Sequence, residues 1–330
     1  MLLDAHDAVL SDLDGVVYAG PFAIEGAPQA LNQAQAQGVP VAFVTNNASR
    51  SVQAVANHLV ELGVNTDADH VVSSAQAAAD LLAERLSAGA KVLVTGAQAL
   101  ADCVSAAGLI PVTSQADKPA AVVQGFNPEI GWEDLAEAAY TLADEQVLWV
   151  ASNVDFTIPK ERGIAPGNGT LVGAVATATG RTPLVAGKPE SPIFVTAAKK
   201  LGATRPVVVG DRLDTDIQGG NRAAMATAVV LTGVETYQSI LAAIPLERPT
   251  YILTDLNGFF EDYPEIGVEA TTGGFTARGA GWIATAEEGV LTLTGDGSEL
   301  NFWRVACAAW WAANPDTAVP TSPQEFNDGQ

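Results

Sequence analysis

Two acidic clusters, Asp12-Leu13-Asp14-Gly15 and Gly210-Asp211-Arg212-Leu213-Asp214-Thr215-Asp216, each follow directly on a short apolar run. The runs, Ala8-Val9-Leu10 and Val207-Val208-Val209, read as buried parallel strands. Both clusters then emerge at strand carboxyl ends, where open α/β sheets hold their ligands. Several carboxylates converging in one crevice need a cation. With Lys188 in Gly187-Lys188-Pro189 and Thr45 in Thr45-Asn46-Asn47, the residue types suit magnesium-dependent phosphoryl transfer. Taken singly, each has a plainer reading, Asp12 and Asp14 as turn residues, Asp211 and Asp214 as helix caps. Their joint presence, in this order, is what argues for chemistry.

The elements that must position these residues alternate along the chain. Strand patterns at 8–12, 39–45 and 71–72 are interleaved with helix patterns at 28–37, 51–62 and 75–86, the signature of parallel βαβ units. A second series runs through 91–94, 97–107, 121–123, 132–142 and 147–150, falling between Thr45 and Lys188 as an insertion. The first series resumes with a helix at 191–201, strands at 206–209, 228–231 and 251–253, and a helix after Thr215. From Pro264 the chain changes character. It is rich in Gly and Thr, with strand-like pieces at 281–285 and 290–294 and a helix at 298–313. Leu300, Trp303, Cys307, Trp310 and Trp311 share one face of that helix, which must be covered by the rest of the protein or by a second subunit in a homodimer. Residues after Asn314 read as a frayed tail.

Composition narrows the function classes. The 330 residues are 48% hydrophobic and 16% charged, with a net charge of −22. No basic patch or basic helix is visible, which argues against nucleic acid or an anionic membrane surface as a partner. The N-terminus has no basic region ahead of an apolar one, and the longest uncharged stretch, 164–180, is too polar to span a bilayer. Two cysteines, Cys103 and Cys307, suit a reducing cytoplasm and read as small buried hydrophobes. His6, His58 and His70 show no metal-ligand spacing.

Taken together, Asp12-Leu13-Asp14-Gly15-Val16-Val17-Tyr18, Thr45-Asn46-Asn47-Ala48-Ser49-Arg50, Gly187-Lys188-Pro189 and Gly210-Asp211-Arg212-Leu213-Asp214-Thr215-Asp216-Ile217 resemble the motifs of the haloacid dehalogenase superfamily of phosphatases. Within it they look like the 4-nitrophenylphosphatase and phosphoglycolate phosphatase branch, and most like the actinobacterial glycerol-3-phosphate phosphatases. The likeness spans roughly residues 5–260 and leaves the tail unexplained. It implies an α/β fold: a Rossmann-like parallel-sheet core (1–87 and 184–263), a large inserted α/β cap (88–183) and a small α+β C-terminal extension (264–330).

The resemblance also implies roles. Asp12 is the nucleophile that forms an aspartyl-phosphate. Mg2+ is held by Asp12, the Asp14 backbone carbonyl and Asp211, with Asp216 one shell further out and Asp214 sharing that outer role or capping the next helix. Asp14 protonates the leaving alkoxide, which requires neighbouring anionic groups to raise its pKa from about 3.9. Thr45, Asn46 and Asn47 bind the phosphoryl oxygens, and Lys188 supplies a fixed positive charge. In the cap, Asn153 and Asp155 are placed to bind small hydroxyls, whereas a substrate carboxylate would call for Lys160, Arg162 or Arg181. The implied substrate is a small phosphomonoester, glycerol 3-phosphate first; phosphoglycolate, pyridoxal phosphate and sugar phosphates are the alternatives. A phosphate-binding protein without turnover is the competing class, and the intact acidic set argues against it. In the tail, Arg278-Gly279-Ala280-Gly281-Trp282-Ile283 matches only the first half of an acetyltransferase coenzyme A turn, because Ile283 stands where a small residue is needed. A packing or dimerisation element is the expectation there.

Overall fold

The computed structural model describes residues 1–48, 50–160 and 162–327, and only the backbone of Pro159 and Lys160. The chain divides into two compact units, Met1–Val41 with Thr204–Gln330, and Ala42–Ala203.

In the first unit, four parallel strands lie in the order Tyr251–Leu253, Ala226–Val230, Pro206–Gly210, Ala8–Ser11. Ala8–Ser11 and Pro206–Gly210 are buried along their whole length, as near-continuous apolar runs demand. Their register, Ala8 with Pro206 through Ser11 with Val209, brings both acidic clusters to the same sheet edge. Residues 264–327 add Gly267–Ala270, Gly274–Gly279, Trp282–Glu287 and Val290–Gly295 as an antiparallel sheet, covered by the helix Glu299–Ala313. The segment 278–283 is the hairpin turn of this sheet, with Ala280 and Gly281 both at positive φ.

The tail differs from its expected form. Glu325–Asn327 is not frayed; it pairs in parallel with Val290–Thr292. Thr321 N donates to Ala242 O at 2.9 Å, and its carbonyl accepts from Trp310 Nε1 at 2.8 Å. The apolar face of Glu299–Ala313 is covered within its own unit. Val305, Cys307 and Trp310 share one core with Val229, Ile240 and Ile252. Cys307 is fully enclosed there, and burial pushes its thiol pKa up.

The second unit begins inside the strand Val41–Thr45, which pairs in parallel with Val71–Ser73. It also holds a five-stranded parallel sheet in the order Leu184–Val185, Leu148–Ala151, Ala121–Gln124, Lys91–Thr95, Ile110–Val112. The sheet packs against the helices Trp132–Leu142 and Asn168–Thr179. The apolar spacing that marks 97–107 appears as the helix Gln98–Ala106, and that of 191–201 as Pro192–Leu201. Ser73 and Gln76 cap Ser74–Ala83 reciprocally at 3.3 and 3.0 Å. The hairpin Thr157–Lys160 with Gly163–Pro166, and the helix Asn168–Thr179, lie where no element was expected, because their Gly- and Pro-rich sequence hides the period. Parallel sheets flanked by helices make this an α/β protein. Among the described residues no helix is long and apolar enough to cross a membrane.

Candidate active site

The predicted residues are taken in two groups, one in each unit. In the first, Asp12 continues its strand's ladder, its N–H donating to Val209 O at 2.9 Å. Beyond it Leu13 O accepts from Val17 N at 2.8 Å, and Gly15 N from the other side donates to Tyr18 O at 2.9 Å. This tight turn needs Gly15 at φ +79°, and a Cβ there would collide with the Asp211 carboxylate. Asp211 and Asp216 are both buried. One carboxylate oxygen from each of Asp12, Asp211 and Asp216 lies within 4.8 Å of the others.

Asp216 therefore belongs to the same cluster of oxygens as Asp12 and Asp211. The reason is local: residues Leu213–Ile217 form a single π-helical turn, wider than an α turn, and a Cβ on Gly210 would strike the Asp216 side chain. Asp14 is exposed. Asp214 is neither a helix cap nor part of the cluster; it pairs with Arg212 at 2.9 Å near the surface, and that hydrogen bond holds the guanidinium pKa above its usual value.

The sequence reading missed the loop Thr232-Gly233-Val234. Val234 N donates to Asp211 Oδ2 at 2.9 Å, Thr232 Oγ1 donates to Gly15 O at 2.6 Å, and a Cβ on Gly233 would overlap Asp211. The available signal was a small-residue loop at the carboxyl end of the strand Ala226–Val230. Three hard oxygen donors held at this spacing, two of them buried, fit a small divalent cation such as magnesium.

The second group centres on Asn46. Its Oδ1 accepts from Lys188 N at 2.8 Å, and its Nδ2 donates to Lys188 O at 3.2 Å and to both Asp155 carboxylate oxygens at 3.3 Å. Its carbonyl accepts from Asn153 Nδ2 at 2.8 Å and Ser74 Oγ at 2.7 Å. Gly187 makes this approach possible, since a Cβ there would sit 2.5 Å from Asn46 Oδ1 and 2.6 Å from Ser152 O. Lys188 is buried, its Nζ 5.9 Å from the centre of the Phe194 ring. Asn47 N donates to Thr45 Oγ1 at 3.1 Å.

Asn153 is buried with both ends of its amide engaged by backbone, Oδ1 accepting from Asp155 N at 3.3 Å. Asp155 is exposed. Arg181 is committed elsewhere, donating to the carbonyls of Leu142, Asp144 and Val147. Arg162 is exposed, and the Lys160 side chain lies outside the described residues. A separate cavity of about 740 Å³, between the helices Ser74–Ala83, Gln98–Ala106 and Pro192–Leu201, contains none of the predicted residues; the half-buried Cys103 lines it.

Sequence comparison bears directly on this arrangement. A model of haloacid dehalogenase-like hydrolases matches residues 9–110, and a HAD-hydrolase-like model matches 185–259. The D-glycerol 3-phosphate phosphatase of Mycobacterium tuberculosis is 46% identical over 312 residues, 93% of this chain and 86% of that protein. The chain belongs to the haloacid dehalogenase-like hydrolases. Another relative in this family, the acid sugar phosphatase of Staphylococcus aureus, is 37% identical over 255 residues, 76% of this chain and 96% of its own. The crystal structure of a glycerol phosphate phosphatase from M. tuberculosis in complex with magnesium is 42% identical and superimposes with a TM-score of 0.87 over 99% of this chain and 95% of that one. Likeness within the family thus extends through residues 264–327 for the mycobacterial enzyme, beyond the expected limit near residue 260.

Proposed function

We propose that this haloacid dehalogenase-like hydrolase is a magnesium-dependent phosphomonoesterase whose substrate is glycerol 3-phosphate. The observation that carries the reading is the clustered oxygens of Asp12, Asp211 and Asp216, and the name of the 46% identical relative supports the substrate. Magnesium on these carboxylates, with the Asp14 carbonyl, supplies the positive charge that lets a dianionic phosphate approach an anionic nucleophile.

Asp12 attacks phosphorus, the bond from phosphorus to the alcohol oxygen breaks, and the phosphoryl group is carried on the Asp12 carboxylate. Asp14 gives its proton to the departing alkoxide and then takes one from the water that hydrolyses the aspartyl-phosphate, releasing inorganic phosphate. Thr45, Asn46 and Asn47 hold the non-bridging oxygens, and Lys188 supplies a fixed charge to them. Asp155 accepts from a substrate hydroxyl, while Asn153 holds the backbones of Asn46 and Asp155 in place. Of the cations that a carboxylate-bearing substrate such as phosphoglycolate would call for, Arg181 is tied to three backbone carbonyls. In this reading residues 88–183 form a cap inserted in a core of 1–87 and 184–263, with 264–330 as an extension, and the enzyme works in the cytoplasm.

Phosphate release from a panel of small phosphomonoesters, with magnesium and with EDTA, tests the proposal. Glycerol 3-phosphate should give a higher kcat/KM than phosphoglycolate, and chelation should abolish turnover until magnesium is restored. Full activity after exhaustive chelation would remove the metal from the reading; preference for phosphoglycolate would remove the substrate.

A further inference from the structure

Gln124 ends the strand Ala121–Gln124 in the five-stranded sheet and pairs in register with Thr95 on one side and Ala151 on the other. Register partners and alternate residues share a face of the sheet, so Gln124 and Thr95 extend the row below them, Leu93, Val122 and Trp149. That face is apolar and covered by Val172 and Val175 of the helix Asn168–Thr179. Gln124 is completely buried in it. Yet neither Nε2 nor Oε1 of Gln124 has a hydrogen-bond partner among the described residues, and the same holds for Thr95 Oγ1 and Asn168 Oδ1.

Polar atoms enclosed in this way are nearly always paired, with protein or with ordered water. We propose that Gln124, Thr95 and Asn168 hold internal water at the carboxyl edge of this sheet, and that the hydrated row positions the Asn153–Asn46–Lys188 set. A buried water makes about three hydrogen bonds. Here it donates to Gln124 Oε1 and Asn168 Oδ1 and accepts from Thr95 Oγ1 or Gln124 Nε2.

The connection to the site is continuous. Asn168 Nδ2 donates to Asn153 O at 2.7 Å and to Gln124 O at 3.4 Å. Asn153 Nδ2 donates to Asn46 O at 2.8 Å, and Asn46 Oδ1 accepts from Lys188 N at 2.8 Å. The two carbonyls on Asn168 Nδ2 set which way that amide faces, and water on its Oδ1 holds it there against the Asn153 backbone. Gln124 is thus a positioning residue that touches no substrate. Its kinetic readout rests on the phosphatase reading above.

The test combines Gln124→Met, which keeps length and removes both polar atoms, with Thr95→Val, which keeps shape and removes the hydroxyl. Crystal structures of the wild type and both variants are determined, with melting temperatures and with kcat and KM for 4-nitrophenyl phosphate at saturating magnesium. The expected result is water bonded to Gln124 in the wild type, a displaced Asn46 amide in Gln124→Met, and a kcat lowered about tenfold or more with little change in KM or melting temperature. Thr95→Val should move the same way by less. A dry Gln124 bonded directly to Thr95, or a folded Gln124→Met with wild-type kcat, would overturn the proposal. If Gln124→Met does not fold, Thr95→Val with wild-type kcat overturns it. A wild type that releases no phosphate would sink the phosphatase reading instead, and the crystallographic water and Asn46 position would still decide this one.

Discussion

In the proposed reaction Asp12 and Lys188 carry opposite charges toward the phosphoryl group, and each has a distinct expected loss. Asp12→Asn is nearly isosteric and keeps its backbone bond to Val209 O, so the fold should survive while turnover falls by at least about 10³-fold. Retained activity would take the nucleophile away from Asp12. Lys188→Ala should lower kcat by roughly 10²-fold, the scale of losing one charge stabiliser. A rise in KM alone would show that Lys188 holds only ground-state phosphate. Both residues could be proposed from the sequence alone because the chemistry admits few residue types at such motif positions. Asp216 was read at the same site, one shell out, but the π-helical turn that carries its carboxylate into the cluster leaves no mark on apolar spacing. The hub role of Asn46 was equally hidden, because its partners Asp155 and Lys188 are more than a hundred positions away.

Loops at strand carboxyl ends set the shape of the acidic cluster, and Gly233 is the sharpest case. It has an ordinary backbone conformation, so Gly233→Ala acts only through the methyl group that would overlap Asp211. Magnesium titrations of activity should show the half-saturating concentration rising roughly 10-fold or more, as when a residue supporting a metal ligand is disturbed. An unchanged titration would mean that Asp211 relaxes without consequence. At the opposite end of the strands, His6 contacts Arg205 O at 3.2 Å and Tyr251 Oη at 3.3 Å. Burial depresses its pKa, favouring the neutral ring in the folded state. This interaction is therefore fully present above about pH 6.5, the unfolded value, and is lost as pH falls through the folded one. His6→Gln should flatten the fall in melting temperature between pH 7.5 and pH 5; an identical slope in both proteins would remove His6 as the cause.

On the scale of the whole chain, the segment from residue 264 onward was the least legible part, because its strands are largely half exposed and Glu325–Asn327 is exposed throughout. What integrates it is Arg304, buried in the middle of Glu299–Ala313. Its guanidinium lies over the Tyr263 ring at 4.3 Å and donates twice to Ile252 O, at 2.8 and 3.0 Å, while Ile252 N donates to Tyr263 Oη at 3.2 Å. Both backbone groups of Ile252, on the outermost strand of the four-stranded set, are thereby satisfied by side chains. An open edge of that kind would otherwise invite pairing with another molecule. Deleting 264–330 removes this cover and uncovers Ile240, Leu241 and Ile252 together. At about 1.5–3 kcal/mol for each large apolar side chain, the loss is comparable with the roughly 5–15 kcal/mol that holds an ordinary domain folded. The truncated protein should therefore aggregate or melt well below the full chain, as read by light scattering and calorimetry. A truncation that stays monomeric and equally stable would show that the parallel sheet stands alone and that the extension serves some purpose other than closing its edge.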